Sequence, residues 1–385
     1  MEATTVVIVG AGSSGLATAA CLTTHSIPYI LLERDHCLAS LWRNRAYDRV
    51  TLHLAKQYCQ LPHVPHPPST PTFIPKRHFI EYLEGYAAKF RIQPRFGMEV
   101  ESAWFEEGEG KWRVMARRGR EGEVVELKAR FVVVASGEND EAVVPEIEGL
   151  DGFVGDLVHS NRYRSGSVYK GKSVLVVGAG NSGMEIAFDL WSCGAFPSIV
   201  VRSPVHVVSK EIWLIGMLLL KYLSITWVDI VVLLLCYFKF GNTSKYGLCR
   251  PSKGPFYSIA NTQGFFPMMD TGTFAKIKSG EIRVLPSIAS IKGNSVTFVN
   301  GKIHHFDTII FATGYRSAVK KWLKDDDLIG DDGMAKEKFP NQWKGKNGLY
   351  CAGLGRRGLY GGGVDALKIA QDINTILLKE SANHY

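Results

Sequence analysis

The 385-residue sequence predicts an α/β protein of two doubly wound, Rossmann-like dinucleotide-binding domains, the second inserted in the first. Three observations carry this. Residues 5–16, TVVIVGAGSSGL, recur almost unchanged as residues 173–185, SVLVVGAGNSGME, and each copy places a β-branched strand before a glycine turn and an apolar helix. Two more strands, FVVVASG at 131–137 and IIFATG at 309–314, are apolar on both faces and end in glycine, as buried parallel strands do. Apolar residues make up 46% of the chain, enough for two proper cores.

The first unit reads as strand Val6–Val9, glycine loop, helix Leu16–Thr24 and strand Tyr29–Glu33. Gly10 permits the sharp turn, Gly12 removes the side chain that would block a pyrophosphate, and Gly15 lets helix and strand approach. The helix then turns its unpaired N–H groups and positive dipole end toward the phosphates. Glu33 lies 23 residues beyond Gly10, where an acid binds a ribose hydroxyl and rejects a 2′-phosphate. This half should therefore hold an adenosine without one, as in FAD or NAD.

From Cys37 to Pro75 the pattern is irregular and then proline-rich. Trp42, Arg43, Tyr47, His53 and Lys56 cluster just before the prolines, which suggests an ordered segment covering the cofactor, with Trp42 against it. His53 and Lys56 also fit as packed or solvated residues. An amphipathic helix over Arg77–Phe90 and a three-stranded meander over Glu99–Ala135 follow. Gly137 then allows a turn beside a ligand, before Glu138, Asn139 and Asp140.

The second unit repeats the first, with strand Val174–Val177, helix Met184–Cys193 and strand Ile199–Val201 around Gly178, Gly180 and Gly183. Where Glu33 closes the first unit, Arg202 with Ser203 closes this one, 24 residues after Gly178. A cation and a hydroxyl suit a 2′-phosphate, so the second site should prefer NADPH. The boundaries are set at 1–164 for the first part of the FAD domain, 165–285 for the NADPH domain, and 286–385 for the second part of the FAD domain.

Residues 212–240 are strongly apolar, but Lys221 and Asp229 split them into runs too short to cross ~30 Å of hydrocarbon. They read as a buried or interfacial helical pair, with peripheral membrane contact as the remaining option. A short helix over Thr273–Lys278 and strands near Ile282–Leu285 and Ser295–Val299 lead to the doubly apolar strand ending at Gly314, where Thr313 and Gly314 are expected to contact a cofactor. The chain finishes with a strand, a glycine-rich loop and a helix starting near Asp365, its positive end toward what the loop embraces.

The net charge of +8 is spread without Lys/Arg blocks beyond short pairs, which favours anionic small molecules over nucleic acid. Seven scattered cysteines with no CxxC argue for a reducing compartment and against a zinc site or a dithiol mechanism. The chain enters a strand by Thr5, so no cleavable signal is expected.

Taken together, these residues resemble the class B flavin-dependent monooxygenases. That family's signature FxGxxxHxxx(Y/F) is present as Phe153, Gly155, His159 and Tyr163, and its C-terminal strand as FATGY at 311–315. Stretches 37–62, 71–87 and 270–282, together with GLYCAGLGRRGL at 348–359, look like the plant YUCCA enzymes. The sequence departs from that family at Ser13, Ala55 and Ser136, and at Lys210, which ends a run that commonly closes in Pro-Arg.

The resemblance implies an indole-3-pyruvate monooxygenase that makes the auxin indole-3-acetic acid. NADPH would reduce FAD, dioxygen would add as a C4a-peroxide, and attack on a 2-oxo acid would release carbon dioxide. It puts Asn139 and His159 near the junction of the two cofactors, and implies no metal. It also implies a cytoplasmic enzyme, with the cytosolic face of the endoplasmic reticulum as an option through 212–240. An N- or S-oxygenating flavin monooxygenase shares every cofactor residue. A non-oxygenating flavin reductase is the more distant alternative.

Overall fold

The computed structural model describes residues 2–119, 121–261, 266–324 and 326–382. The chain divides into two compact units, one of Met1–Asn44, Lys56–Glu141 and Tyr315–Tyr385, the other of Arg45–Ala55 and Ala142–Gly314.

In the first unit a six-stranded sheet is centred on Val124–Val134. The early residues of that strand pair antiparallel with Lys111–Arg118, and its Phe131–Val134 end runs parallel to Glu2–Val9. Leu349–Cys351 pairs parallel with Val132–Val134 on the other side. One strand thus belongs to a hairpin meander at its start and to a doubly wound sheet at its end, which is why only its end is apolar on both faces.

The second unit has a five-stranded, wholly parallel sheet. Its order is Arg283–Leu285, Phe196–Val200, Ser173–Val177, Thr308–Phe311, Asp156–His159. Alternate residues of the central strand serve two cores. Val174 and Val176 face one, beneath the helix Asn181–Ser192, and Leu175 and Val177 face the other, beneath the antiparallel strands 288–305. Both units are α/β with a parallel sheet beside the glycine loop, as the sequence predicts.

The units change over at 141/142 and 314/315, whereas the sequence reading changes over at 164/165 and 285/286. The reason is pairing: Asp156–His159 and Thr308–Phe311 lie side by side in the second sheet. The FxGxxxH stretch and the ATG strand therefore both build the second unit.

A second difference concerns the end of the chain. The last helix runs from Gly358 to Ala382, so Asp365 lies inside it rather than at its start. The glycines at 361–363 are helical and serve packing. A Cβ on Gly362 would strike the hydroxyl of Ser14, in the first turn of the first-loop helix. Residues 212–240 do fold as a helical pair, Lys210–Leu219 and Ile225–Phe240. Among the described residues no helix is long and apolar enough to cross a membrane.

Candidate functional site: paired nucleotide cradles

The two glycine loops have nearly the same geometry. Val9 aligns with Leu32 and Val134, and Val177 aligns with Val200 and Phe311, so in each sheet three strands end level beside the loop. Gly10 and Gly178 take φ of +106° and +112°, where an L side chain would be strained. A Cβ on Gly10 would lie 2.6 Å from the Ala135 carbonyl oxygen, and one on Gly178 2.5 Å from that of Ala312. Gly15 and Gly183 press on the carbonyls of Gly10 and Gly178, so a side chain there would collide. Gly12 and Gly180 cap their helices in ordinary extended backbone, and a Cβ on either meets no protein atom within 4 Å.

Two glycines of each loop are thus required by the fold, while the middle one keeps open space in front of a helix N-terminus. That is the shape a pyrophosphate needs. The strands ASG and ATG serve their loops in the same way, as backing for the first glycine.

Beyond the loops the two cradles diverge. Glu33 follows its strand, is buried, and accepts from the Ala11 N–H at 2.8 Å and the Asp35 N–H at 3.0 Å. Burial pushes its carboxyl up, and those two N–H groups pull partly the other way. It stands against the first glycine loop, where an adenosine ribose would lie. Arg202 and Ser203 are exposed just past Phe196–Val200, whose last carbonyl accepts from Gly178 N at 3.3 Å. Arg202 has no ion pair among the described residues.

The helix Asn181–Ser192 carries two acids on its inner face, four residues apart, that the sequence reading did not single out. Glu185 accepts from Tyr47 Oη at 2.7 Å and lies 2.9 Å from His53 Nε2. Burial opposes its ionisation, but His53, Tyr47 and the charge on Lys210 outweigh that and hold the carboxyl below its usual range. Asp189 accepts from Tyr163 Oη at 2.6 Å and Gly166 N at 2.7 Å. Lys210 is buried, donates to the Thr51 carbonyl at 3.1 Å, and has its pKa lowered chiefly by desolvation.

Residues 45–55 are thereby bound to the helix behind the second loop. The detectable sign was two acids in an otherwise apolar helical face, MEIAFDL. Tyr47 and His53, read as part of a cofactor-covering segment, contact this helix.

The remaining expected residues have identifiable surroundings. Gly155 brings the chain onto the Asp307 carbonyl, and Phe153 and Tyr163 are buried. His159 ends the edge strand, is buried, and has its pKa lowered by desolvation against hydrogen bonds with Asn161 and Gly314. Thr313 donates its hydroxyl to Val143, and Gly314, at φ +89°, accepts from Val143 N. Trp42 packs edge-on to Phe79 at 5.0 Å. Asn139 is exposed two residues past Gly137. Lys56, among three carbonyls at 2.7–3.3 Å, fastens the proline-rich loop.

Asp365 is buried and accepts from Gln342 Nε2 at 2.6 Å and Gly353 N at 3.0 Å; burial pushes its pKa up to about 6. Among the described residues no group of three or more His, Cys, Asp or Glu could hold a metal ion.

Two cradles of this kind on two doubly wound units define a pyridine nucleotide-linked flavoprotein oxidoreductase, and the pyridine nucleotide-disulphide oxidoreductase family matches residues 7–216. The fold is also that of a flavin-containing monooxygenase from Stenotrophomonas maltophilia, at TM-score 0.74 and 20% identity over 98% of this chain and 100% of that one.

Closer relatives narrow the class. The chain is 49% identical to the probable indole-3-pyruvate monooxygenase YUCCA10 of Arabidopsis thaliana, over 97% of this chain and 98% of that protein. It is 48% identical to the indole-3-pyruvate monooxygenase YUCCA1 of Oryza sativa subsp. japonica, over 96% and 91%. The chain belongs to the YUCCA family of flavin-dependent monooxygenases.

Proposed function

We propose that this protein converts indole-3-pyruvate to indole-3-acetic acid, taking electrons from NADPH and one oxygen atom from O2, with FAD as resident cofactor. The observation that carries the two-cofactor part is the sign reversal between equivalent cradles, Glu33 at one and Arg202 at the other. The 2-oxo acid rests on the relatives, both indole-3-pyruvate monooxygenases by name.

The residues present fit both groups, because each cradle has open space at its middle glycine and a helix N-terminus behind it. Gly10, Gly12 and Gly15 would hold the FAD pyrophosphate, with Glu33 at its ribose and Trp42 and Asp365 as further FAD contacts. Gly178, Gly180 and Gly183 would hold that of NADPH, with Arg202 and Ser203 at the 2′-phosphate. Thr313 and Gly314 close the second sheet at the same level.

Bound flavin supplies hydride acceptance and oxygen activation. The protein's own work is to bind, orient and exclude water. His159, with its pKa lowered, would stay neutral at pH 7 and so add no fixed charge near the nicotinamide. Asn139, exposed two residues past Gly137, would offer an amide donor to a bound cofactor.

The test is product analysis. The purified protein should show a flavin spectrum and release carbon dioxide in proportion to NADPH consumed with indole-3-pyruvate. Oxygenation of a thioether or amine without decarboxylation of any 2-oxo acid would overturn the reading.

A further inference from the structure

The outer edge of the second unit's parallel sheet carries a cleft. Its edge strand, Arg283–Leu285, pairs on one side with Phe196–Val200 and is the last in the sheet. The chain at Tyr246–Gly247 closes down on this strand. Gly247 takes φ of +81°, and a Cβ there would lie 2.8 Å from Val284 Cγ1, so only glycine lets the backbone come so near. Tyr246 is held edge-on to Phe274 at 5.7 Å. A second wall is the hairpin tip 298–302, fixed by Gly301 N donating to Phe298 O at 2.8 Å and Phe298 N to Lys302 O at 2.9 Å. These walls and the edge strand enclose about 390 Å³, all within the second unit.

The cleft is apolar at its base and cationic at its rim. The buried Ile282 and Leu285 line it beside Tyr246, and so do the exposed Arg283, Lys302 and Asn300. His304 joins them and offers one ring N–H in either tautomer. Among the described residues no acid lines the cleft. Glu281 precedes it in sequence but is committed to Ser279 Oγ at 2.5 Å, Lys276 Nζ at 3.1 Å and Trp191 Nε1 at 3.1 Å. Arg283 and Lys302 have no ion pair among the described residues. Asn300 Oδ1 accepts from Lys302 N at 3.1 Å, which leaves the amide N–H groups as donors.

Cations gathered on an apolar surface without an acid repel one another, and an anion relieves that repulsion. The volume is that of a small-molecule site. Inorganic phosphate would answer the charge and leave the apolar base unfilled, whereas a carboxylate on a ring-sized body answers both. The second glycine loop does not supply this anion. Phe196–Val200 lies between the edge strand and Ser173–Val177, which sets the cleft about 10 Å to the side of that loop.

We propose that this cleft is a separate binding site for a small aromatic carboxylate, its ring against Tyr246 and its carboxylate held by Arg283 and Lys302. The assignment does not depend on which substrate is oxidised. The flavin-loaded protein would be titrated by calorimetry with phenylacetate, with the uncharged 2-phenylethanol and with inorganic phosphate.

Arg283→Glu with Lys302→Glu should remove one bound phenylacetate per chain, with flavin content and melting temperature as in the parent. The alcohol, without the charge, and phosphate, without the ring, should bind there at least about tenfold more weakly. Lys302→Glu alone, at the exposed hairpin tip, should weaken phenylacetate about tenfold if the double variant fails to fold. Saturating NADP⁺ should not displace it. No phenylacetate binding, an unchanged number of sites in the variants, or alcohol or phosphate binding as tightly would overturn the proposal. Displacement by NADP⁺ would do so too, by assigning the cleft to the nucleotide site.

Discussion

Glu185 Oε1 lies 2.9 Å from His53 Nε2, joining positions 132 residues apart in sequence. Tyr47 holds the other carboxylate oxygen at 2.7 Å, so the segment 45–55 is fastened to the helix that starts at the second glycine loop. Replacing Glu185 by Ala removes the carboxylate that accepts from the Tyr47 hydroxyl, pairs with His53 and faces the Lys210 charge, which should cost about 3–5 kcal/mol. Tyr47→Phe removes one bond and should cost about 1 kcal/mol. Urea unfolding of both variants checks the order. Because folding holds the Glu185 carboxyl below its ordinary 4.5, the stability it contributes is present above that value and lost as pH falls through the depressed one. Glu185→Gln should flatten that acid limb; an unchanged limb would mean the carboxylate is not held this way.

The glycines of each loop separate folding from binding. Gly12 and Gly180 have φ of −75° and −74° and open space around a Cβ, so alanine there leaves the fold intact. Gly12→Ala should lower bound flavin per chain, and Gly180→Ala should raise the KM for NADPH about tenfold or more while flavin stays bound. Gly15→Ala and Gly183→Ala collide with backbone and should lose soluble protein instead. Absorbance ratios and melting curves of the four variants distinguish the classes. Equal loss of stability in all four would remove the argument that the middle glycines are kept for a ligand.

The same contrast explains how far the sequence could be read. Loop, helix and strand at 5–33 and 173–201 are set within a few residues of one another, so glycine spacing and β-branched runs were sufficient. The helical pair of 212–240 was likewise legible from hydropathy and the two charges that interrupt it. What was missed depends on distant pairing. Glu185 and Asp189 looked like ordinary helix acids until Tyr47, His53 and Tyr163 arrived from elsewhere in the chain. Glycines 361–363 read as a loop because glycine disfavours helix by about 1 kcal/mol, yet they are helical, and at Gly362 a side chain would strike Ser14.

Asp365 supplies the opposite pH dependence to Glu185. Burial raises its pKa from 3.8 to about 6, so the folded state favours the protonated form. Its contribution to stability should therefore fall as pH rises from 3.8 to 6, by about 1–3 kcal/mol, and stay flat above. Asp365→Asn can keep the acceptor for Gln342 Nε2 while removing the titration. Melting temperatures across this range should decline in the parent relative to the variant. Parallel curves would show that the carboxyl is not held in its neutral form.

Glu33 lies one residue and Arg202 two residues past the strand beside its glycine loop, with opposite charge, and that makes the nucleotide preference directly testable. Arg202 is exposed, with no ion pair among the described residues, so its guanidinium is available to a phosphate without breaking a protein contact. A charge-assisted bond of that kind is worth ~1.5–3 kcal/mol. Arg202→Glu both removes it and adds repulsion, so the KM for NADPH should rise by at least about tenfold. NADH, with no 2′-phosphate, should be affected little or even favoured, since the variant then resembles the Glu33 cradle. The ratio of kcat/KM for the two nucleotides, measured at one ionic strength, is the quantity to follow, because a general loss of fold lowers both values together. A ratio unchanged by the substitution would show that the arginine does not meet the 2′-phosphate.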